Sequence, residues 1–154
     1  TGDIVVWMDC DFSMPPSIIP ELLRALDESD IAIGSRYIPG ARDRRDSFRE
    51  RIGSWIINRL ARLFLDHSIN DYTSGFVAAK KAVFDKIDLR GDYGEYCIDF
   101  LYRAKKKGFT VKEIPYICVT RKYGKSKTAT NLFKYLKHGM GYISTIFRLR
   151  FSLS

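Results

Sequence analysis

Ile4-Val-Val-Trp-Met-Asp-Cys-Asp-Phe-Ser-Met-Pro-Pro16 decides the fold of this chain. An apolar run from Ile4 to Met8, with no polar alternation, leads straight into two carboxylates and a pair of prolines. Such a run predicts a short strand covered on both faces. Behind Pro15-Pro16, the apolar residues from Ile18 to Leu26 have helical spacing, and Ile31-Ala-Ile-Gly34 reads as a second strand. The opening is therefore a β-α-β unit and the fold class is α/β. Side chains two apart on a strand point to the same side, so Asp9 and Asp11 project together at the carboxyl end of the first strand. In open α/β sheets that end faces the ligand crevice. Two hard oxygen donors there suit Mg²⁺ or Mn²⁺ held jointly with a substrate's phosphates. The alternative is that one Asp caps the next helix while the other is solvated.

Further along, Tyr37 to Ser47, with Pro39-Gly40 and interleaved Arg and Asp, reads as a polar loop. It precedes a helix from about Phe48 to Leu65 whose Ile52, Ile56, Leu60 and Leu63 share one face. Ser74 to Ala79 is expected as a strand, Ala82 to Ile87 as a helical turn, and Tyr96 to Lys107 as a helix stopped by Gly108. Val111 to Val119 is strand-like. In Asn131 to Arg150, Leu132, Leu136, Met140, Ile143 and Phe147 recur every three or four residues.

The 154 residues, 45% hydrophobic, suffice for one domain with a sizeable core. The formal charge of +8 is not spread evenly. Thr1 to Glu113 balances 18 basic against 18 acidic residues, whereas Ile114 to Ser154 carries 8 basic residues and no acid. The excess points to a local anionic partner: a phosphate, a nucleic acid or a membrane surface. Three widely spaced cysteines, Cys10, Cys97 and Cys118, with two histidines and no CxxC, read as reduced core residues. No signal peptide and no uninterrupted apolar run of membrane-spanning length is present.

Six segments in order, Asp9-Cys-Asp11 with Pro15-Pro16, Gly34-Ser-Arg-Tyr37, Asp71-Tyr-Thr-Ser-Gly-Phe76, Leu101-Tyr-Arg-Ala104, Glu113-Ile-Pro115 and Arg121-Lys-Tyr-Gly-Lys-Ser-Lys127, extend over nearly the whole chain. In this order they resemble the family-2 glycosyltransferases that load a sugar onto a polyprenyl phosphate, the dolichyl-phosphate mannose synthases and their glucose-transferring relatives. The resemblance implies the C-terminal part of a GT-A (nucleotide-diphospho-sugar transferase) fold, a mixed sheet with flanking helices, truncated at the N-terminus. Residues 1–127 would form a partial catalytic domain and 128–154 a basic amphipathic helix near a membrane.

What the resemblance implies for the site follows residue by residue. Asp9 and Asp11 would bind the metal, with Ser13 assisting. Arg36 and Arg121 would bind phosphate oxygens, Arg51 and Ser54 the acceptor's phosphate, and Ser126 and Lys127 belong to the same substrate-binding loop. Asp11, Asp71 and Arg36 form the implied catalytic set. Asp71 matches a carboxylate proposed elsewhere as a general base. A phosphate monoester, with its second pKa near ~6, is however already largely a dianion at neutral pH. Asp71 is therefore expected to orient an arginine or the sugar hydroxyls. The chain departs from the family pattern at Val77, Asp99 and Lys125, which bears on the donor sugar.

The implied activity is transfer of mannose from GDP-mannose to a polyprenyl or dolichyl phosphate with inversion, at the cytoplasmic face of a membrane. UDP-glucose is the alternative donor. The expected partners are a nucleotide sugar, a polyprenyl phosphate, a membrane surface and possible second copies of the chain. A nucleic-acid-binding module is the reading from another class. It is disfavoured because the sequence shows no ribonucleoprotein motif, helix-turn-helix or zinc pattern. An inactive fragment is the third reading.

Overall fold

The computed structural model describes residues 2–91, 93–121 and 132–152. β1 (Ile4–Trp7) pairs antiparallel with β4 (Val77–Lys80), β4 antiparallel with β2 (Ile31–Ser35), and β2 parallel with β5 (Val111–Pro115). The sheet order is β1-β4-β2-β5, so it is mixed. The expected β-α-β unit is present in split form, since β1 and β2 both run antiparallel to β4 and so parallel to each other. β1 and β2, joined through α1 (Ile19–Ala25), are not neighbours, because β4 inserts between them and hydrogen-bonds to both. Sequence periodicity carries no information about a strand that arrives more than forty residues later.

The polar loop contains a strand that alternation did not reveal. β3 (Arg42–Arg44) pairs in parallel with β6 (Ile117–Val119) as a separate two-stranded sheet. The single strand expected over Val111 to Val119 changes partner at Tyr116. The Tyr116 amide donates to the Ser35 carbonyl at 3.1 Å, while its own carbonyl accepts from the Arg42 amide at 3.1 Å. This switch carries the chain from the main sheet to the loop that overhangs its carboxyl edge.

Alternation along the strands divides the core between two faces. Ile31, Ile33, Val77 and Ala79 face α2 (Phe48–Phe64), α4 (Tyr96–Lys106) and α5 (Leu132–Ser152), where Phe100, Leu101, Ile146 and Leu149 are buried. Ala32, Phe76 and Ala78 face α1, through Leu22, Ala25 and Leu26, together with Met14 and Tyr116. α3 (Lys81–Phe84) is a single turn after β4. At the start of α2, Ser47 Oγ accepts a hydrogen bond from the Glu50 amide at 3.3 Å, the N-cap half of a Ser-x-x-Glu capping pattern.

The helix α2 stripe is corrected as well. Its buried residues are Ile57, Asn58 and Ala61, flanked by half-buried Leu60 and Phe64, whereas Ile52, Ile56 and Leu63 are exposed. A polar residue sits in the middle of the core face, and apolar residues occupy the outer one. On α5 the stripe Leu136, Met140, Ile143 and Phe147 is likewise exposed, and Ile146 and Leu149 do the packing. The division expected at residue 127 lies outside the described residues. The cysteine reading holds for Cys97 and Cys118, which are buried, but Cys10, in the turn after β1, is exposed.

Among the described residues β1 has a hydrogen-bonding neighbour on one side only, and Ile4 and Val5 are each 42% exposed. An open apolar edge is a template for another strand. Sedimentation velocity of the 154-residue chain is expected to show concentration-dependent self-association, reduced by Val5→Lys. A monomer boundary at every concentration would refute pairing through this edge.

Candidate active site

The chain leaves β1 at Trp7 and turns sharply, with Phe12 at φ 62°, a left-handed conformation unusual outside glycine. The turn is tied together locally. The Ser13 amide donates to Asp11 Oδ1 at 3.0 Å, and the Asp9 amide lies 3.4 Å from Met14 Sδ. The Ser13 carbonyl in turn accepts from the Val119 amide at 3.2 Å, so β6 is anchored on the turn. That anchor delivers Arg121, two residues on, to within 3.5 Å of Asp11 Oδ2.

The two carboxylates have opposite electrostatics. Crowding by protein atoms, then the like charge of Asp11, raises the Asp9 carboxyl above the ordinary range, against a smaller lowering by Arg121 and Arg36. For Asp11, partial burial works upward, but the hydrogen bonds from Ser13 and the charge of Arg121 bring it below that range. Asp9 is thus an ionised group held at a cost beside another, and a cation placed between them removes that cost.

Behind the turn lies a closed polar network. Arg36, at the end of β2, is 7% exposed and Asp71 is 0% exposed. The Arg36 guanidinium grips Asp71 in two places, Nε to Oδ2 at 2.8 Å and Nη2 to Oδ1 at 2.7 Å, and its amide adds a third bond at 3.0 Å. Burial opposes the arginine's charge, yet the Asp71 carboxylate beside it keeps it protonated, well above the usual arginine range. Arg36 Nη2 also donates to Thr73 Oγ1 at 2.7 Å. Asn58 Nδ2 donates to Asp71 Oδ1 at 3.2 Å, and Asn58 Oδ1 accepts the Tyr72 amide at 2.7 Å. From β5, Glu113 accepts the amides of Asn70 at 2.9 Å and Asp71 at 3.0 Å.

Asp9, Asp11, Ser13 and Arg121 are therefore gathered at one turn, with Arg36 within electrostatic reach of Asp9 and Asp71 paired to Arg36 behind it. Ser54 and Arg51 diverge. Ser54 Oγ accepts from Arg45 Nη2 at 3.1 Å, while the Arg51 guanidinium lies over the Phe48 ring at 5.8 Å. Arg45 is itself clamped by Asp43 through bonds of 2.9 and 2.6 Å. Ser126 and Lys127 lie outside the described residues. Sequence reasoning missed Asn58, Thr73, Arg45 and the carboxylate role of Glu113. An Asn in phase with Ile57 and Ala61 was the available signal for the first.

Residues 1–88 match the family described as Glycosyl transferase family 2, and the chain belongs to that family. It is 40% identical over 128 residues to the polyprenol monophosphomannose synthase of Mycolicibacterium smegmatis, an alignment covering 80% of this chain and 48% of that protein. It is 34% identical over 143 residues to the dolichol-phosphate mannosyltransferase of Pyrococcus furiosus, covering 90% and 40%. The chain thus spans about half or less of the curated relatives it matches. Among solved structures, glucosyl-3-phosphoglycerate synthase from Mycobacterium tuberculosis, in complex with phosphoglyceric acid, superposes with a TM-score of 0.67 at 16% identity. That match covers 97% of this chain and 50% of the other. The same enzyme in complex with Mn²⁺, uridine diphosphate and glucosyl-3-phosphoglycerate gives 0.65 at 17% identity, with 97% and 50% covered. At such identities the likeness concerns the fold, which is of the GT-A type.

Opposite stability effects are expected at the two kinds of acid. Asp71→Asn leaves a buried guanidinium without its partner and should cost about 3 kcal/mol in urea denaturation. Asp9→Asn removes a repelled charge. Because the folded-state carboxyl of Asp9 is raised, its ionisation is what destabilises the fold as pH rises through that value. Asp9→Asn should therefore leave stability unchanged or increased at neutral pH without divalent ions, and the gain should vanish in acid. Equal losses for both variants would contradict this division.

Proposed function

We propose that this chain carries the reacting centre of a sugar transferase that moves mannose from GDP-mannose to a polyprenyl phosphate. The observation that carries the reading is the convergence of Asp9, Asp11 and Arg121 on one turn at the carboxyl end of β1, backed by Arg36. Membership of Glycosyl transferase family 2 and the mannosyl-transferring relatives support the choice of reaction.

The donor set fits a hard divalent ion. Two carboxylates raise one another's energy, and no group of three or more His, Cys, Asp or Glu side chains suited to a metal occurs among the described residues. A site with two protein oxygens leaves the other coordination positions to diphosphate and water, as Mg²⁺ and Mn²⁺ prefer. Asp9 and Asp11 would hold it. When bound, such an ion supplies Lewis-acid stabilisation of the departing nucleoside diphosphate.

The chain's own groups do the rest. Arg121, exchanging Asp11 for a phosphate oxygen, neutralises the diphosphate from the side of β6. Arg36 is fixed by Asp71 and contributes a preorganised positive charge that needs no reorientation during reaction. Asp71 already receives bonds from Arg36, Asn58 and the Arg36 amide, so it orients Arg36 and takes no proton. The acceptor's phosphate oxygen, already anionic, attacks the anomeric carbon as the bond to the diphosphate breaks, and a single displacement inverts that centre. Turnover by the protein at its natural full length should stop in excess chelator and return with Mn²⁺. Asp11→Ala should fall by orders of magnitude. Undiminished turnover in chelator would sink the metal assignment.

A polyprenyl acceptor must stay in a bilayer while its phosphate reaches the site. No helix among the described residues is long and apolar enough to cross a membrane. Instead, α2 and α5 pack together and present Phe48, Ile52, Trp55, Ile56 and Leu63 beside Leu136, Met140, Phe147 and Phe151, all exposed. Arg59 stacks on Trp55 at 5.3 Å, and Lys137 and Arg150 are exposed on α5. An apolar face edged with basic residues suits the surface of an anionic leaflet. Flotation with anionic liposomes should weaken for Trp55→Glu and Met140→Glu, and more so in high salt. Unchanged flotation of both variants would place the membrane contact elsewhere.

A further inference from the structure

We propose that Tyr142 of α5 is a positioning residue for the turn that carries Asp9 and Asp11, acting through its contact with Gly94 at the start of α4. The inference rests on the reading of that turn as the metal and diphosphate site, and it adds α5 to the parts that shape it. Gly94 lies outside the left-handed region, so its backbone conformation does not call for glycine. A close approach does. A Cβ on Gly94 would lie 2.0 Å from the Tyr142 hydroxyl oxygen and 3.1 Å from Cζ, so the phenol fills the space that any side chain here would need. The Tyr142 ring is stiff and packs against the core between the sheet and its helices, which leaves it little room to swing aside.

α5 meets the loop before α4 over two successive turns. One turn ahead of Tyr142, His138 stacks on Tyr93 with ring centroids 4.0 Å apart. In the same loop Gly91, at φ 125°, closes on Tyr96, whose amide nitrogen would lie 3.1 Å from an added Cβ. The Gly94 carbonyl accepts the Cys97 amide at 3.3 Å, which makes Gly94 part of the first turn of α4. That turn holds both halves of the site. The Tyr96 oxygen accepts from Trp7 Nε1 at 3.1 Å, and Trp7 is the last residue of β1, two before Asp9. Cys97 Sγ donates to the Ser74 carbonyl at 2.7 Å, on the loop that carries Asp71. A displacement of Gly94 is thus passed to the carboxylate turn by one hydrogen bond and to the Asp71 loop by the other. Two carboxylates that share one small ion tolerate only about 0.5 Å of misplacement, so cation affinity is where such a displacement is felt. Met140, Ile143 and Phe147 are exposed on α5, so the helix that would rest on lipid also braces the site.

The test is calorimetric titration of the protein at its natural full length with GDP, with and without Mn²⁺, beside a thermal melt of each variant. Gly94→Ala is expected to weaken Mn²⁺-dependent GDP binding about tenfold, within the range of coupling through packed side chains. Adding Tyr142→Phe to Gly94→Ala should bring affinity back to within about twofold of wild type, because the ring edge left at 3.1 Å need give only slightly. Tyr142→Ala, which removes the wedge without adding an atom, should weaken the same binding about fivefold. Full Mn²⁺-dependent affinity in Gly94→Ala overturns the proposal whether or not its melting temperature falls, since the contact would then serve stability alone. A folded double variant that shows no rescue overturns it too, as does an equal loss of GDP binding without Mn²⁺, which would place the effect outside the carboxylate turn. If Gly94→Ala fails to fold, Tyr142→Ala decides, and wild-type affinity in that variant overturns the positioning role. Wild-type protein whose GDP binding is indifferent to Mn²⁺ refutes the metal reading itself, and the role of Tyr142 falls with it.

Discussion

A guanidinium buried under the sheet's carboxyl edge is the constraint around which this structure is arranged. Arg36 is almost wholly removed from solvent, and an unpaired charge there would cost several kcal/mol. Asp71 answers the charge, but a carboxylate at 0% exposure needs its own partners. Asn58 from α2, Thr73 from its own loop and the Arg36 amide supply them. The loop must then be held at the right height, which Glu113 does from β5 by accepting two successive amides. One ion pair thereby recruits β2, β5, α2 and the approach to β4 into a single rigid unit.

The DxD turn works by the opposite rule. Where the Arg36 network satisfies each charge several times over, Asp9 and Asp11 are left with mutual repulsion that Arg121, 3.5 Å from Asp11, and the more remote Arg36 offset only in part. A left-handed Phe12 adds local backbone cost at the same place. On the proposed metal reading, a cation bound between the two acids would relieve that repulsion, while the surrounding network keeps the turn from relaxing it first. Rigidity behind and frustration in front are complementary, since a turn free to move would simply separate its two acids.

This division also explains what could be read from sequence. The DxD turn was legible because two acids follow directly on an apolar run, although the chain leaves β1 at Trp7 and the turn, rather than the strand's period of two, sets the two side chains. The longer helices were legible to within one or two residues from local periodicity, α2 ending at Phe64 and α4 at Lys106, whereas the turn expected over Ala82 to Ile87 is α3 (Lys81–Phe84). The insertion of β4 between β1 and β2 was not legible, because pairing partners are chosen by contacts far apart in the chain. The face of α2 was misread for a more specific reason. Its core stripe contains Asn58, whose polarity is cancelled by Asp71 and Tyr72, residues that no local window contains. Hydrophobicity therefore pointed to Ile52, Ile56 and Leu63, which are exposed. Arg45 was missed because the Asp43 that fixes it sits in what looks like a featureless charged loop.

That misreading has a functional side. Ser54 and Asn58 are one helical turn apart on α2 and face the polar network, Ser54 through Arg45 and Asn58 through Asp71. Phe48, Ile52, Trp55, Ile56 and Leu63 lie on the outer surface of the same helix. A helix with its side chains is ~10 Å across, so this one element sets the distance between the apolar face and the charged centre. If the outer face rests on a bilayer, a phosphate headgroup beside it lies within a helix diameter of Arg36 without its hydrocarbon leaving the lipid. Asn58 then has two tasks. It completes the Asp71 hydrogen bonds, and in doing so it fixes the rotation of α2 that turns Trp55 and Ile56 outward. An apolar residue at position 58 would satisfy the pattern read from sequence and would strip the ion pair of a partner. The amphipathicity that looks inverted follows from an inner face that serves a buried charge, and it leaves the apolar outer face available to the lipid surface proposed above.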